Sequence, residues 1–125
     1  MKVVGLDHLV LTVASIDHTC EFYQRVLGMR RETFAGGRSA LTFGTQKINL
    51  HEAGNEFDPN ALHATPGSGD LCFIVDDVAS AQARLEAEGV QVIEGPAPRT
   101  GAMGTMLSIY CRDPDGNLIE LSQYQ

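Results

Sequence analysis

The sequence predicts an α+β fold built from two similar βαβββ halves whose sheets form a cup. Three observations carry this expectation. Short β-branched and aliphatic runs surround only two segments of helical periodicity. Each helical segment stops at a glycine, Gly28 in the first half and Gly89 in the second. The pattern then repeats: the stretch from His8 to Ile16 overlays that from Asp70 to Val78, and Ile48-Asn49-Leu50 lies against Ile119-Glu120-Leu121. A common order of elements across both halves argues for internal duplication.

Residues 5–13 read as a strand that ends before Ala14-Ser15-Ile16-Asp17, where Ser15 suits a helix N-cap. Cys20, Tyr23, Val26 and Leu27 then recur at helical spacing until Gly28. Strands follow over 29–35 and 39–43, joined by a hairpin turn at Gly36-Gly37, and another over 47–51. The stretch 52–69 is rich in Gly, Pro, Asn and Ser and lacks periodicity, which marks a linker or an active-site loop. The second half reads as a strand over 70–75, a helix over 78–88 with Val78, Ala81 and Leu85 on one face, and a short strand over 90–93. A Pro/Gly-rich loop is expected over 95–104, then strands over 106–111 and 118–122 around the turn Asp113-Pro114-Asp115-Gly116-Asn117. The organisation expected is one domain over 1–125, with modules 1–51 and 70–125.

Hydrophobic residues form 43% and charged residues 20% of the 125, the balance of a soluble globular chain rather than a disordered one. No apolar run is long enough to span a bilayer, and Asp7 interrupts the N-terminal stretch where a signal peptide would stay apolar. A cytoplasmic protein without membrane attachment is therefore expected. A net charge of −7 gives no basic footprint for nucleic acid. Cys20, Cys72 and Cys111 form no CxxC pair, so they read as reduced core thiols rather than zinc or redox motifs.

Strand side chains alternate, so the wall of a cup takes every second residue of each strand. A polar side chain facing such a wall is costly unless it is bonded. The candidates are His8 in the first strand, Asn49 and His51 in the fourth, Asp70 in the fifth and Glu120 in the last. A strand histidine is ordinarily structural, and an acid between Ile119 and Leu121 ordinarily faces solvent, so their residue types alone assign no role.

The opening Leu6-Asp7-His8-Leu9-Val10-Leu11-Thr12-Val13, the helix exit Phe22-Tyr23 with Leu27-Gly28-Met29, and the closing Asp113-Pro114-Asp115-Gly116-Asn117-Leu118-Ile119-Glu120 resemble the vicinal oxygen chelate superfamily. That group includes glyoxalase I, extradiol dioxygenases, fosfomycin-resistance enzymes and bleomycin-resistance proteins. Asn49-Leu50-His51-Glu52 with Pro98-Arg99-Thr100-Gly101-Ala102 is similar to the glyoxalase-domain-containing protein 5 group. The resemblance implies one divalent cation (Zn, Ni, Fe, Mn or Co), with His8 and Glu120 at ligand positions. His51 is the preferred third ligand and Asp70 its rival, because glyoxalase I carries a glutamate where Asn49 stands and a histidine where Asp70 stands. Such a cation, with open coordination positions, would take a small molecule with neighbouring oxygens.

Glu120, Glu52 and His63 are candidate proton carriers, and Arg99, Tyr110, Asn49 and Asp70 candidate substrate contacts. The expected activity is a glyoxalase-like lyase or isomerase. An extradiol-type dioxygenase and a metal-free binding protein of bleomycin-resistance type are the alternatives. A homodimer is expected from the resemblance.

Overall fold

The computed structural model describes residues 1–125, in two compact units, Met1–Pro66 and Gly67–Gln125. In the first unit the order is β1 (His8–Val13), α1 (Ile16–Leu27), β2 (Arg30–Phe34), a 3₁₀ turn (Ala35–Gly37), β3 (Arg38–Phe43) and β4 (Gln46–Glu52). The sheet runs β1-β4-β3-β2, with β1 parallel to β4 and the other pairs antiparallel. The second unit repeats this plan: β5 (Asp70–Ile74), α2 (Val78–Ala87), β6 (Glu94–Gly101), β7 (Gly104–Arg112) and β8 (Leu118–Tyr124), in sheet order β5-β8-β7-β6. The two βαβββ halves expected from the sequence are present.

Local chemistry sets the helix ends. Ser15 is extended, and its hydroxyl accepts the His18 N–H at 3.2 Å. Gly28 closes α1 in the left-handed region at φ 67°, returning its N–H to the Gln24 carbonyl. Asp77 caps α2 by accepting the Ser80 N–H at 3.0 Å. Each helix covers one face of its own sheet. Cys20, Phe22, Tyr23 and Val26 of α1 are buried on the face that carries Leu11, Val13, Leu41, Ile48 and Leu50. Val78 and Leu85 of α2 are buried with Leu71, Ile109, Cys111, Ile119 and Leu121. Burying such a side chain stabilises the fold by roughly 1.5–3 kcal/mol.

The sequence reading misplaced β6. A strand was expected over 90–93 and a loop over 95–104, whereas β6 spans Glu94–Gly101 and pairs with β7 from Glu94–Tyr110 to Gly101–Gly104. Pro96 and Pro98 argue against a central strand, yet β6 is the sheet edge, where a missing N–H is tolerated, and the ladder shifts between Glu94 and Ala97.

The turn after β7 is a buried hydrogen-bonded knot. Asp113 Oδ1 accepts the N–H groups of Asp115 and Asn117, both at 2.9 Å, and Asp113 Oδ2 accepts Asn117 Nδ2 at 2.8 Å. Asn117 Oδ1 in turn accepts the Gly69 N–H at 2.7 Å, tying the entry of β5 to that of β8. No helix is long and apolar enough to cross a membrane.

Candidate functional site

Opposite its helix, each sheet presents a second face, and alternation places most of the candidate residues there. In the first unit this face carries His8, Val10 and Thr12 of β1 with Lys47, Asn49 and His51 of β4. His8 keeps 39% of its side chain exposed, and its Nδ1 donates to Asp7 Oδ2 at 2.7 Å. That bond holds the Asp7 carboxyl below its ordinary range. It also fixes the tautomer, because a carboxylate only accepts, and leaves Nε2 as the nitrogen able to coordinate.

His51 shares the face of His8 but not its position. The parallel register sets His8 beside Lys47 and Thr12 beside His51, a separation of four positions or about 13 Å along the strands. Asn49 stands between, level with Val10. His51 is buried, edge-on to the Phe57 ring at 5.6 Å, and the Arg38 guanidinium lies 4.3 Å over the same ring. Asn49 Oδ1 and His51 Nδ1 are buried without a hydrogen-bond partner.

Glu52 points the other way. It pairs with Val13 on the helix side, and its Oε1 accepts the Ile16 N–H at 3.2 Å, at the start of α1. Instead of the proton carrier expected from the sequence, Glu52 is a carboxylate that holds a helix terminus. His63 is exposed in the stretch after β4, where its carbonyl accepts the Thr65 hydroxyl at 3.4 Å.

In the second unit the open face carries Asp70 and Cys72 of β5, Leu118, Glu120 and Ser122 of β8, and Ser108, Tyr110 and Arg112 of β7. Glu120 lies beside Cys72 on one flank and Tyr110 on the other. Asp70, level with Leu118, is two positions from Glu120, the diagonal spacing from which two side chains on adjacent strands can meet. Glu120 Oε2 accepts the Ser122 hydroxyl at 3.1 Å, and Ser122 Oγ lies 2.7 Å from Ser108 Oγ and 3.2 Å from Cys72 Sγ. The Tyr110 hydroxyl interacts with the same carboxylate while accepting Arg99 Nε at 3.0 Å. Burial, first, and then the Glu120 charge raise the Tyr110 pKa against the lowering effect of Arg99.

Arg99 is committed within the protein, since its Nη2 also meets Glu94 Oε2 at 2.6 Å. It therefore braces Tyr110 and Glu94 rather than standing free for an anion. The sequence reading missed Glu94, Ser108, Ser122, Arg38 and Arg112. Counting every second residue from Tyr110 and Glu120 finds Ser108, Arg112 and Ser122, whereas Glu94 and Arg38 depend on pairings that no local signal shows.

Neither unit by itself gathers three His, Cys, Asp or Glu side chains into a cation site. The donors still suit a divalent ion in kind: an imidazole oriented by a carboxylate, and a carboxylate braced by hydroxyl groups.

The profile of the Glyoxalase/Bleomycin resistance protein/Dioxygenase superfamily matches residues 5–121. The chain belongs to that superfamily. Within it, the chain is 58% identical over 126 residues to the glyoxalase domain-containing protein RDO1 of Mycosarcoma maydis, covering 100% of this chain and 71% of the relative. It is 54% identical over 128 residues to virulence protein STM3117 of Salmonella typhimurium, covering 99% and 87% of the two chains. The crystal structure of STM3117 superposes with a TM-score of 0.98 at 52% identity over 100% of both chains. A lactoylglutathione lyase of Neisseria meningitidis is 30% identical over 125 residues, covering 94% of this chain and 89% of the lyase. The superfamily fold thus runs through both βαβββ halves.

Proposed function

We propose that this protein is a divalent-metal-dependent enzyme of the superfamily that acts, as a lyase or isomerase, on a small molecule with neighbouring oxygens. The observation that carries the reading is the preparation of two donors on open sheet faces: His8, oriented by Asp7, and Glu120, braced by Ser122 and Tyr110. Their match in type to the ligands implied by the resemblance, and the likeness to lactoylglutathione lyases, support it. His8 and Glu120 are the proposed ligands. Asp70 is favoured over His51 as a third, because it is near Glu120 in its sheet whereas His51 is four positions from His8.

When bound, the cation supplies Lewis acidity to the substrate oxygens. Glu120, whose Oε2 accepts the Ser122 hydroxyl, is the proposed base that takes a proton from the carbon beside a carbonyl. Asn49 cannot do this, because an amide has no proton-accepting carboxylate. Tyr110 holds the Glu120 carboxylate in orientation, and Arg99 holds Tyr110. A homodimer in the cytoplasm is part of the proposal. Exposed Val3, Val4, Leu6 and Val10 offer apolar surface for pairing, and three unpaired cysteines fit a reducing compartment.

Elemental analysis of protein purified without chelator or affinity metal is expected to find about one divalent ion per chain, and less in His8→Ala and Glu120→Gln. Metal-loaded protein is then tested for turnover of methylglyoxal with glutathione. Absence of metal from the native protein, with ligand affinity indifferent to His8→Ala, would overturn the reading in favour of a metal-free binder.

A further inference from the structure

The open face of the second sheet holds a shallow, open pocket of about 310 Å³ lined by Ile93, Glu94, Tyr110, Arg112 and Leu118. Its charges are unequally satisfied. Glu94 is neutralised by Arg99 at 2.6 Å, so that pair contributes no net charge. Arg112 has no carboxylate partner: its one hydrogen bond is from Nη1 to the Gly116 carbonyl at 3.2 Å, and most of the guanidinium fork is unused. Asp70 lies in the same row, beyond Leu118, and forms no ion pair with it. The unpaired guanidinium of Arg112 gives the pocket a local cationic point that attracts an anion against the general repulsion of a chain of net charge −7. The walls add a second requirement. Ile93 is 43% exposed and Leu118 is half-buried, so the pocket offers apolar surface to the body of a ligand.

Register gives the spacing. Arg112 pairs with Leu118 and Tyr110 with Glu120, so the Arg112 backbone stands two positions, about 7 Å, along the sheet from that of Glu120, with the guanidinium directed to the Gly116 carbonyl at the turn end. One aromatic ring or a short carbon chain spans that interval. We propose that this pocket is an acid-recognition subsite in which Arg112 binds the carboxylate of a small substrate whose chelating oxygens reach the Glu120 end about one ring-length away. The guanidinium fork suits a planar carboxylate, which it engages through two parallel N–H bonds. This assignment rests on the proposed role of Glu120 for the direction of the ligand, but not for the presence of the anion site. The substrate class is a compact carboxylated diol, enediol or hydroxycarbonyl compound.

The test uses 3,4-dihydroxybenzoate and catechol, which share the vicinal oxygens and differ in the carboxylate. Each is titrated calorimetrically into the full chain, both zinc-loaded and chelator-treated. The acid is expected to bind at least about tenfold more tightly than catechol. Arg112→Gln should abolish that preference while leaving catechol binding unchanged, and Arg112→Lys, which keeps the charge without the fork, should fall between. An unchanged melting temperature in Arg112→Gln verifies the fold. A wild-type chain that does not prefer the acid, or binds neither compound, overturns the subsite, as does a preference that survives Arg112→Gln. If the Arg112-dependent preference persists while zinc changes neither affinity, the subsite stands and the metal reading falls. If zinc tightens both compounds and Arg112→Gln has no effect, the reverse holds.

Discussion

Replacing Asn117 with alanine tests whether the turn after β7 holds the second unit together. Asn117 is 1% exposed and ties two places at once: its Nδ2 donates to Asp113 Oδ2 at 2.8 Å, and its Oδ1 accepts the Gly69 N–H at 2.7 Å. The first bond reaches a buried carboxylate, a class of interaction contributing about 1.5–3 kcal/mol, and the second is a neutral bond of about 1 kcal/mol. Removing the amide also leaves the part-buried Gly69 N–H without its acceptor, so the loss should lie toward the upper side, near 3–4 kcal/mol. For a chain of this length 1 kcal/mol corresponds to about 4 °C, so the melting temperature should fall by about 12–16 °C. Circular dichroism melts and urea titrations of wild type and Asn117→Ala would measure it. A decrease under about 1 kcal/mol would refute the argument, because it would mean water replaces both bonds at no cost.

Three further outcomes are expected. Gly67 has φ +85°, and a Cβ there would approach the Asp115 carbonyl oxygen to 2.5 Å, so Gly67→Ala should lower stability by about 1–3 kcal/mol in urea unfolding. Burial pushes the Cys111 thiol from an ordinary 9.0 up to about 11, so the unfolded chain ionises first and the neutral thiol stabilises the fold fully only below pH 9. Stability should decline between pH 9 and 11 by up to about 2–3 kcal/mol from this residue, and Cys111→Ala should flatten that part of the profile. Tyr110→Phe removes the hydroxyl shared by Arg99 and Glu120; zinc affinity by chelator competition should weaken at least about tenfold, while the melting temperature stays nearly constant.

Features governed by neighbours in sequence were legible before the structure. Ser15 and Gly28 mark α1 because capping and the left-handed exit are local events, and the repeat announced two sheets of one topology. Strand β6 was hidden because Pro96 and Pro98 are compatible with a strand only at a sheet edge, and edge position is not a local property. The same limit governed the site. Alternation placed His8, Asn49 and His51 on a common face, but the offset of His8 from His51 depends on how the chain returns through α1, β2 and β3 before β4 pairs with β1. Alternation also sets Glu52 opposite to His51, but only if β4 runs on to Glu52, and the polar stretch that begins there hides the strand end. Arg112 sits one step before a recognisable turn, and its standing apart from Arg99 is visible only once Arg99 is seen paired with Glu94.

The prolines of β6 also bear on how this protein behaves when crowded. Sheet-to-sheet templating needs an uninterrupted row of amide donors along an outer strand, and Pro96 and Pro98, with the shifted register beside them, break that row. Fibril growth through this border is thereby discouraged by covalent structure rather than by surface charge, so the safeguard should persist at high salt and across the pH range. Substituting both prolines by threonine would remove it without touching the hydrophobic interior.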